Sequence, residues 1–227
     1  MTTSSRDPNQ SKIFVETEGD AYYLRNKSAL ARNDQFFCED LLCQTLAPFQ
    51  AEVKQILEIG CATGQKVQYL CQHFNASGVG VDPSAQAVAD GNQRLSTAGT
   101  QNVLLQVSTA NSLPFEKHRF DLVYFGFCLY LVDRDDLFSA IAEADRVLRP
   151  GGFLAIVDFD PAQRHKRPYH HREGVFSYKQ QYAHLFTASG HYYLVSKHSI
   201  SHRGHHFSKD SDERVSLCIL YKEPQAY

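Results

Sequence analysis

Glu58 sits inside an apolar run, Ile56-Leu57-Glu58-Ile59, that breaks into the turn Gly60-Cys61-Ala62-Thr63-Gly64. A buried strand ending in such a turn brings backbone N–H groups up to a small charged ligand, and a residue without Cβ lets the ligand lie against the chain. The Glu58 carboxylate is placed to accept hydrogen bonds or to meet a positive charge. A second apolar run, Gly78-Val79-Gly80-Val81, ends in Asp82 and Pro83. A carboxylate there can take the hydroxyls of a ribose lying across two strand ends, or serve as a plain turn or capping residue. A dinucleotide fingerprint would read Gly-x-Gly-x-x-Gly; with Ala62 and Gln65 in this turn, that reading fails.

A second concentration of chemistry lies downstream. Nine of the 11 histidines fall between 165 and 206, several in the stretch that runs from Asp158 and Asp160 to Tyr169-His170-His171-Arg172-Glu173. Imidazole titrates nearest neutrality, so His170 and His171 are candidate proton-transfer groups, with solvated loop residues as the alternative. The cluster Arg164, Lys166, Arg167 and Arg172 suits an anionic group or simply a solvated loop. His202, His205 and His206 lack a carboxylate or Cys partner of matching spacing, so no metal is expected.

The elements that must position these residues follow from periodicity. Short apolar strands are expected at 55–59, 78–81, 103–107, 120–127 and 153–159, with helices at 65–75, 84–98 and 135–148 between them. Ser84 is a plausible N-cap. Alternation of this kind means a parallel sheet with helices on both faces, a Rossmann-like three-layer α/β sandwich. Apolar residues at helical spacing predict a helix over 29–49, ahead of the first strand. Beyond the fifth strand the pattern predicts a polar loop over 160–175, a helix over 178–188, and strands at 192–201 and 214–222. The polar stretch 1–12 is expected to be a disordered tail, 13–50 a helical lid, and 51–227 the main domain, with 158–210 facing a substrate.

Composition excludes several classes. A formal net charge of -2 gives no basic field for bulk nucleic-acid binding. The apolar runs are too short for a membrane span, and residues 1–12 carry no signal-peptide segment, so a cytoplasmic protein is expected. The 6 cysteines form no Cys-x-x-Cys and read as buried free thiols.

The order Glu58-x-Gly60-x-Ala62-x-Gly64 resembles the nucleotide-binding motif of class I S-adenosylmethionine (SAM)-dependent methyltransferases, with Ala62 at the usual middle glycine. Three further stretches are similar to the same family in order and spacing. These are Gly78 to Asp82, then Thr109-Ala110-Asn111-Ser112-Leu113-Pro114-Phe115 with Phe120-Asp121, and Arg146-Val147-Leu148-Arg149-Pro150-Gly151-Gly152. Asn111 stands where the family usually has Asp; its amide oxygen can still accept from an adenine N6–H. The run Tyr169 to Gly174 also resembles that of small bacterial members.

The resemblance implies a seven-stranded sheet with an antiparallel last strand, SAM as methyl donor and S-adenosylhomocysteine as product. It implies a cofactor site made of Glu58, Gly60, Ala62, Gly64, Asp82, Pro83, Ala110, Asn111 and Phe125, with Tyr23 and Arg25 closing over it. An alcohol acceptor would need a base, which points to His170 or His171, with Tyr130 also facing the pocket. Tyr22, Tyr169, Arg172, Asp158 and Asp160 would hold the acceptor. The expected acceptor is a small polar molecule, a sugar or carboxylated metabolite methylated on oxygen, taken by a monomer or homodimer. RNA methylation and non-catalytic SAM binding are the alternatives.

Overall fold

The computed structural model describes residues 9–30 and 36–225. Seven strands form one sheet: β1 Gln55–Ile59, β2 Ser77–Asp82, β3 Val103–Val107, β4 Phe120–Gly126, β5 Leu148–Phe159, β8 Tyr192–Ser201 and β9 Arg214–Lys222. A separate hairpin, β6 His165–Pro168 with β7 Phe176–Lys179, lies outside it. The order across the sheet is β3-β2-β1-β4-β5-β9-β8. Neighbours are parallel from β3 through β5, whereas β9 runs antiparallel to both β5 and β8. This is the expected sheet with its antiparallel last strand.

The order decides where a ligand can lie. From β1 the chain steps outward to β2 and β3, then returns to place β4 on the other side of β1. Right-handed crossovers in opposite directions put α4 (Gln65–Phe74) and α5 (Ala85–Thr97) on one face and α6 (Leu137–Val147) on the other. The loops leaving β1 and β4 therefore part, and a crevice opens at their carboxyl ends.

The core explains why these segments are strands. Leu122, Val123, Tyr124 and Phe125 of β4 are buried on both faces, as are Leu154 and Ala155 of β5. Ser84 caps α5 as expected, its Oγ accepting from the Ala87 N–H at 3.0 Å. The cysteines among the described residues are free thiols.

The N-terminal region and the final third depart from the sequence reading. Gln10–Ile13 is helical (α1), so residues 9–12 are not a disordered tail, while 1–8 lie outside the described residues. Gln10 is buried because its side-chain amide donates to Leu131 O at 2.7 Å and Phe176 O at 2.9 Å and accepts from Phe176 N at 2.9 Å. A hydrophilic composition conceals a glutamine used in this way. The helix expected over 29–49 is instead the end of α2 (Gly19–Leu30) and α3 (Phe37–Leu46), with 31–35 outside the described residues. Within 160–188, β6 replaces part of the loop, and β7 followed by α7 (Ala183–Thr187) replaces the helix. Phe176 and Tyr178 alternate with Ser177 and pair with β6, a period-two pattern too short to separate from a helical one.

Candidate active site

The turn after β1 is built from left-handed residues: Gly60 at φ +80, Ala62 at φ +45 and Gly64 at φ +72. A Cβ on Gly60 would come within 2.6 Å of Cys128 Cβ, just past β4, so the two strand-end loops touch here. The N–H groups of Gly60 and Cys61 donate to Val81 O at 2.9 and 3.1 Å, binding the turn to β2. The Ala62 N–H donates to Asp82 Oδ2 at 2.8 Å, and Asp82 Oδ1 accepts from Ser84 N at 2.9 Å. Burial raises the Asp82 pKa, opposed by those two hydrogen bonds.

Glu58 is buried, and its Oε2 accepts from the Val67 N–H at 2.9 Å, in the first turn of α4. Burial pushes its pKa up to about 8, with Lys66 opposing. Lys66 Nζ lies 3.4 Å from Oε1 of buried Glu39, which also accepts from the Tyr124 hydroxyl at 2.5 Å. Burial alone would lower the Lys66 pKa, but Glu39 and Glu58 raise it.

These groups face a cavity of about 670 Å³. One side is the strand-end face: Glu58, Gly60, Ala62, Lys66, Asp82, Pro83, Ala110 and Asn111. The other is largely apolar and aromatic, with Phe14, Phe36, Phe37, Phe127, Cys128, Leu131, Val132 and Ile200, and it carries His202 and His205. The N-terminal helices form part of this wall. Asp20 of α2 accepts from Ser84 Oγ at 2.7 Å and Gln86 N at 3.0 Å. Tyr23 donates to Asp90 at 2.7 Å, and Lys27 reaches the same oxygen at 2.6 Å.

The sequence-predicted residues divide between the cavity and other tasks. Glu58, Gly60, Ala62, Asp82, Pro83, Ala110, Asn111, Tyr22 and Tyr23 line it. Gly64 itself does not line it, although Thr63 and Gln65 on either side do; it is the left-handed N-cap of α4. Phe125 does not line the cavity: it is wholly buried and packs on Phe186. Arg25 points to Glu18 and to the Tyr169 hydroxyl at 3.1 Å, and neither Arg25 nor Tyr169 lines the cavity. Tyr130 lies behind Tyr22, whose hydroxyl it meets, and is packed on Phe127 and Phe159.

The proposed acceptor contacts fare worse. Asp158 is sealed in, accepting from Phe159 N at 2.7 Å and Tyr130 N at 3.3 Å, and burial raises its pKa to about 7. Through the Tyr130 N–H it holds the loop after β4, and it does not line the cavity. Asp160 is ion-paired with Lys197 at 2.6 Å. His170, His171 and Arg172 are exposed at the tip joining β6 to β7 and do not line the cavity, because hairpin pairing turns that tip outward.

Sequence reasoning missed Glu39, Lys66, Phe127 and Cys128 as cavity residues, and it considered His202 and His205 only for a metal. Among the described residues no group of three or more His, Cys, Asp or Glu is set to hold one. Nor is any helix among them long and apolar enough to cross a membrane.

Comparison with known proteins agrees with this geometry. Residues 56–152 match the model of a methyltransferase-domain family. A ubiquinone/menaquinone biosynthesis C-methyltransferase of Desulfotalea psychrophila is 32% identical over 158 residues, 69% of this chain and 61% of its own length. A fatty-acid O-methyltransferase of Mycolicibacterium smegmatis is 34% identical over 118 residues, 52% of this chain and 41% of its own. The chain thus spans less than two thirds of these relatives. A crystal structure of the 1,6-didemethyltoxoflavin-N1-methyltransferase of Burkholderia thailandensis, with 1,6-didemethyltoxoflavin and S-adenosylhomocysteine bound, shares the fold. Its TM-score is 0.74 at 13% identity, covering 98% of this chain and 93% of that one. The match identifies residues 56–152 as a methyltransferase domain, and the sheet order and motif order are those that the resemblance to class I SAM-dependent methyltransferases implies.

Proposed function

We propose that the protein transfers a methyl group from SAM to a small, flat, largely apolar acceptor. The observation that carries this reading is one cavity with two unlike walls, one acidic and built from strand ends, the other aromatic. The acidic wall fits SAM. Glu39, Glu58 and Asp82 outnumber Lys66 there, which suits a ligand carrying a sulfonium and an ammonium group. A cavity of about 670 Å³ also lies within the range of small-molecule sites. Asp82 keeps lone pairs for ribose hydroxyls, and the Asn111 amide can read adenine.

SAM supplies an already activated methyl group, so the chain has to align the two partners and exclude water. Contact between Gly60 and Cys128 brings the two walls together at one point. The docked α2 helix covers the β2–α5 corner through Asp20 and Tyr23. An aromatic wall favours a flat acceptor over the sugar or carboxylated metabolite expected from the sequence. The two relatives are named for C-methylation in ubiquinone/menaquinone biosynthesis and for fatty-acid O-methylation, and the structural neighbour for N1-methylation of 1,6-didemethyltoxoflavin. They support an acceptor with a flat or apolar body and leave the methylated atom to experiment.

The test is mass spectrometry after incubation with SAM and two panels: naphthol, hydroxyquinoline and xanthine, against glucose and lactate. Methylation in the flat panel is the expected result. Methylation confined to the second panel, or absent from both, contradicts the proposal.

A further inference from the structure

We propose that His202 is the acceptor-side base, its imidazole taking the proton from an O–H or N–H of a flat acceptor laid against Phe127. This rests on the flat-acceptor reading above.

Phe127 directly follows β4 and is held at φ +69, a left-handed conformation unfavourable for a bulky side chain. Backbone strain of this kind persists where the surrounding structure enforces it, and it clusters at functional sites. The Phe127 N–H remains paired, donating to Val157 O at 3.0 Å. In this conformation its ring lies nearly parallel to that of His202, at 16° with centroids 5.6 Å apart. The next residue, Cys128, closes on Gly60. The imidazole and the cofactor turn therefore flank the same strand end.

The thiols and the Tyr22 phenol of this wall are poor bases. Burial pushes the Cys38 thiol up to about 12 and that of Cys128 well above its ordinary value, so both stay protonated. The Tyr22 phenol is raised in the same way. Arg203 pairs with Glu213 at 3.2 Å. His205 also lines the cavity, stacked on Phe37 with ring centroids 4.3 Å apart, and is the rival imidazole that a His205→Gln control distinguishes.

His202 packs against Phe127 and Phe159 and faces Glu213, Lys179 and Arg203. Desolvation lowers its pKa; the Glu213 charge opposes this, while Lys179 and Arg203 reinforce it. Its backbone is fixed by a 2.7 Å hydrogen bond from its N–H to Glu213 O. The imidazole is therefore neutral near neutral pH, and a neutral imidazole carries one unprotonated ring nitrogen with a lone pair. In the reaction the acceptor proton passes to that lone pair. The electrons left on oxygen or nitrogen form the bond to the methyl carbon, and the carbon–sulfur pair returns to sulfur. The products are methylated acceptor, neutral thioether and imidazolium.

His202→Gln in the full chain tests this, with SAM as donor and naphthol and hydroxyquinoline as probes. The expected loss in kcat is about a hundred- to ten-thousand-fold, with SAM affinity by calorimetry unchanged and the acidic limb of the kcat–pH profile gone. Unchanged kcat and an intact acidic limb would overturn the assignment, as would loss of that limb in His205→Gln instead. A second readout needs no turnover: in wild-type protein with S-adenosylhomocysteine, naphthol should shift the His202 Cε1–H resonance and leave those of His170 and His171 in place. If the wild type neither methylates the probes nor shows that shift, the flat-acceptor reading itself fails. If it methylates them and His202→Gln does so equally well, only the base assignment fails.

Discussion

The backbone N–H of Ala62 donates to Oδ2 of Asp82 at 2.8 Å, so the carboxylate that closes β2 also holds the turn that closes β1. Its other oxygen accepts from Ser84 at the start of α5. One side chain thereby fixes the shape of the acidic wall and still has lone pairs directed at the cavity.

Asp82→Ala is expected to weaken SAM binding by about tenfold or more and to lower stability by about 1–3 kcal/mol. It strands two backbone N–H groups and removes an acceptor of hydroxyl hydrogen bonds. Calorimetric titration and denaturant unfolding measure the two effects separately. Asp82→Asn, which keeps one acceptor oxygen, should fall between.

Ala62→Gly tests the strain in the turn. Ala62 at φ +45 occupies a region costing a residue with Cβ about 1–2 kcal/mol. Glycine enters it freely but loses more entropy on folding, so a gain of up to about 1 kcal/mol is expected, with SAM affinity retained. Gly60→Ala should do the opposite, since its Cβ would lie 2.6 Å from Cys128 Cβ.

The stability of ligand-free protein should fall as pH rises toward about 8. Folded Glu58 keeps a proton that the unfolded chain releases near 4.5, so the native state binds more protons through that window. Asp158, raised from 3.8 to about 7, acts in the same sense lower down. Thermal melts across pH should show the decline, and Glu58→Gln should remove its upper part, between about 7 and 8. A flat wild-type profile there would contradict the burial argument.

Binding of SAM should release protons below about pH 8, because a cation beside Glu58 favours its ionised form. Calorimetry in buffers of different ionisation enthalpy reads this directly, and the affinity should rise with pH over the same window.

The acidic wall was legible in the sequence for a physical reason. Glu58, Gly60 and Asp82 stand at strand ends, which are marked by apolar runs breaking into Gly, Asp or Pro, whereas Asn111 lies in the turn after β3 and was legible through the family resemblance. The aromatic wall was not legible. Phe127 matters through a left-handed backbone that no residue type announces, and Glu39 through a pairing with Lys66 across two helices. Histidine density drew attention to His170 and His171, whereas hairpin pairing turns them outward and leaves His202 on the cavity.

Replacing both hairpin histidines, His170→Gln with His171→Gln, should leave kcat within about twofold of wild type, as expected for exposed positions away from the site. A loss as large as that expected for His202→Gln would restore the hairpin to the chemistry.

A crystal structure of the complex with S-adenosylhomocysteine and naphthol tests the two-walled cavity most directly. The expected result places the ribose hydroxyls on Asp82, the amino-acid end toward Glu58 and the naphthol ring against Phe127. Either molecule bound elsewhere, or both on the same wall, would contradict it.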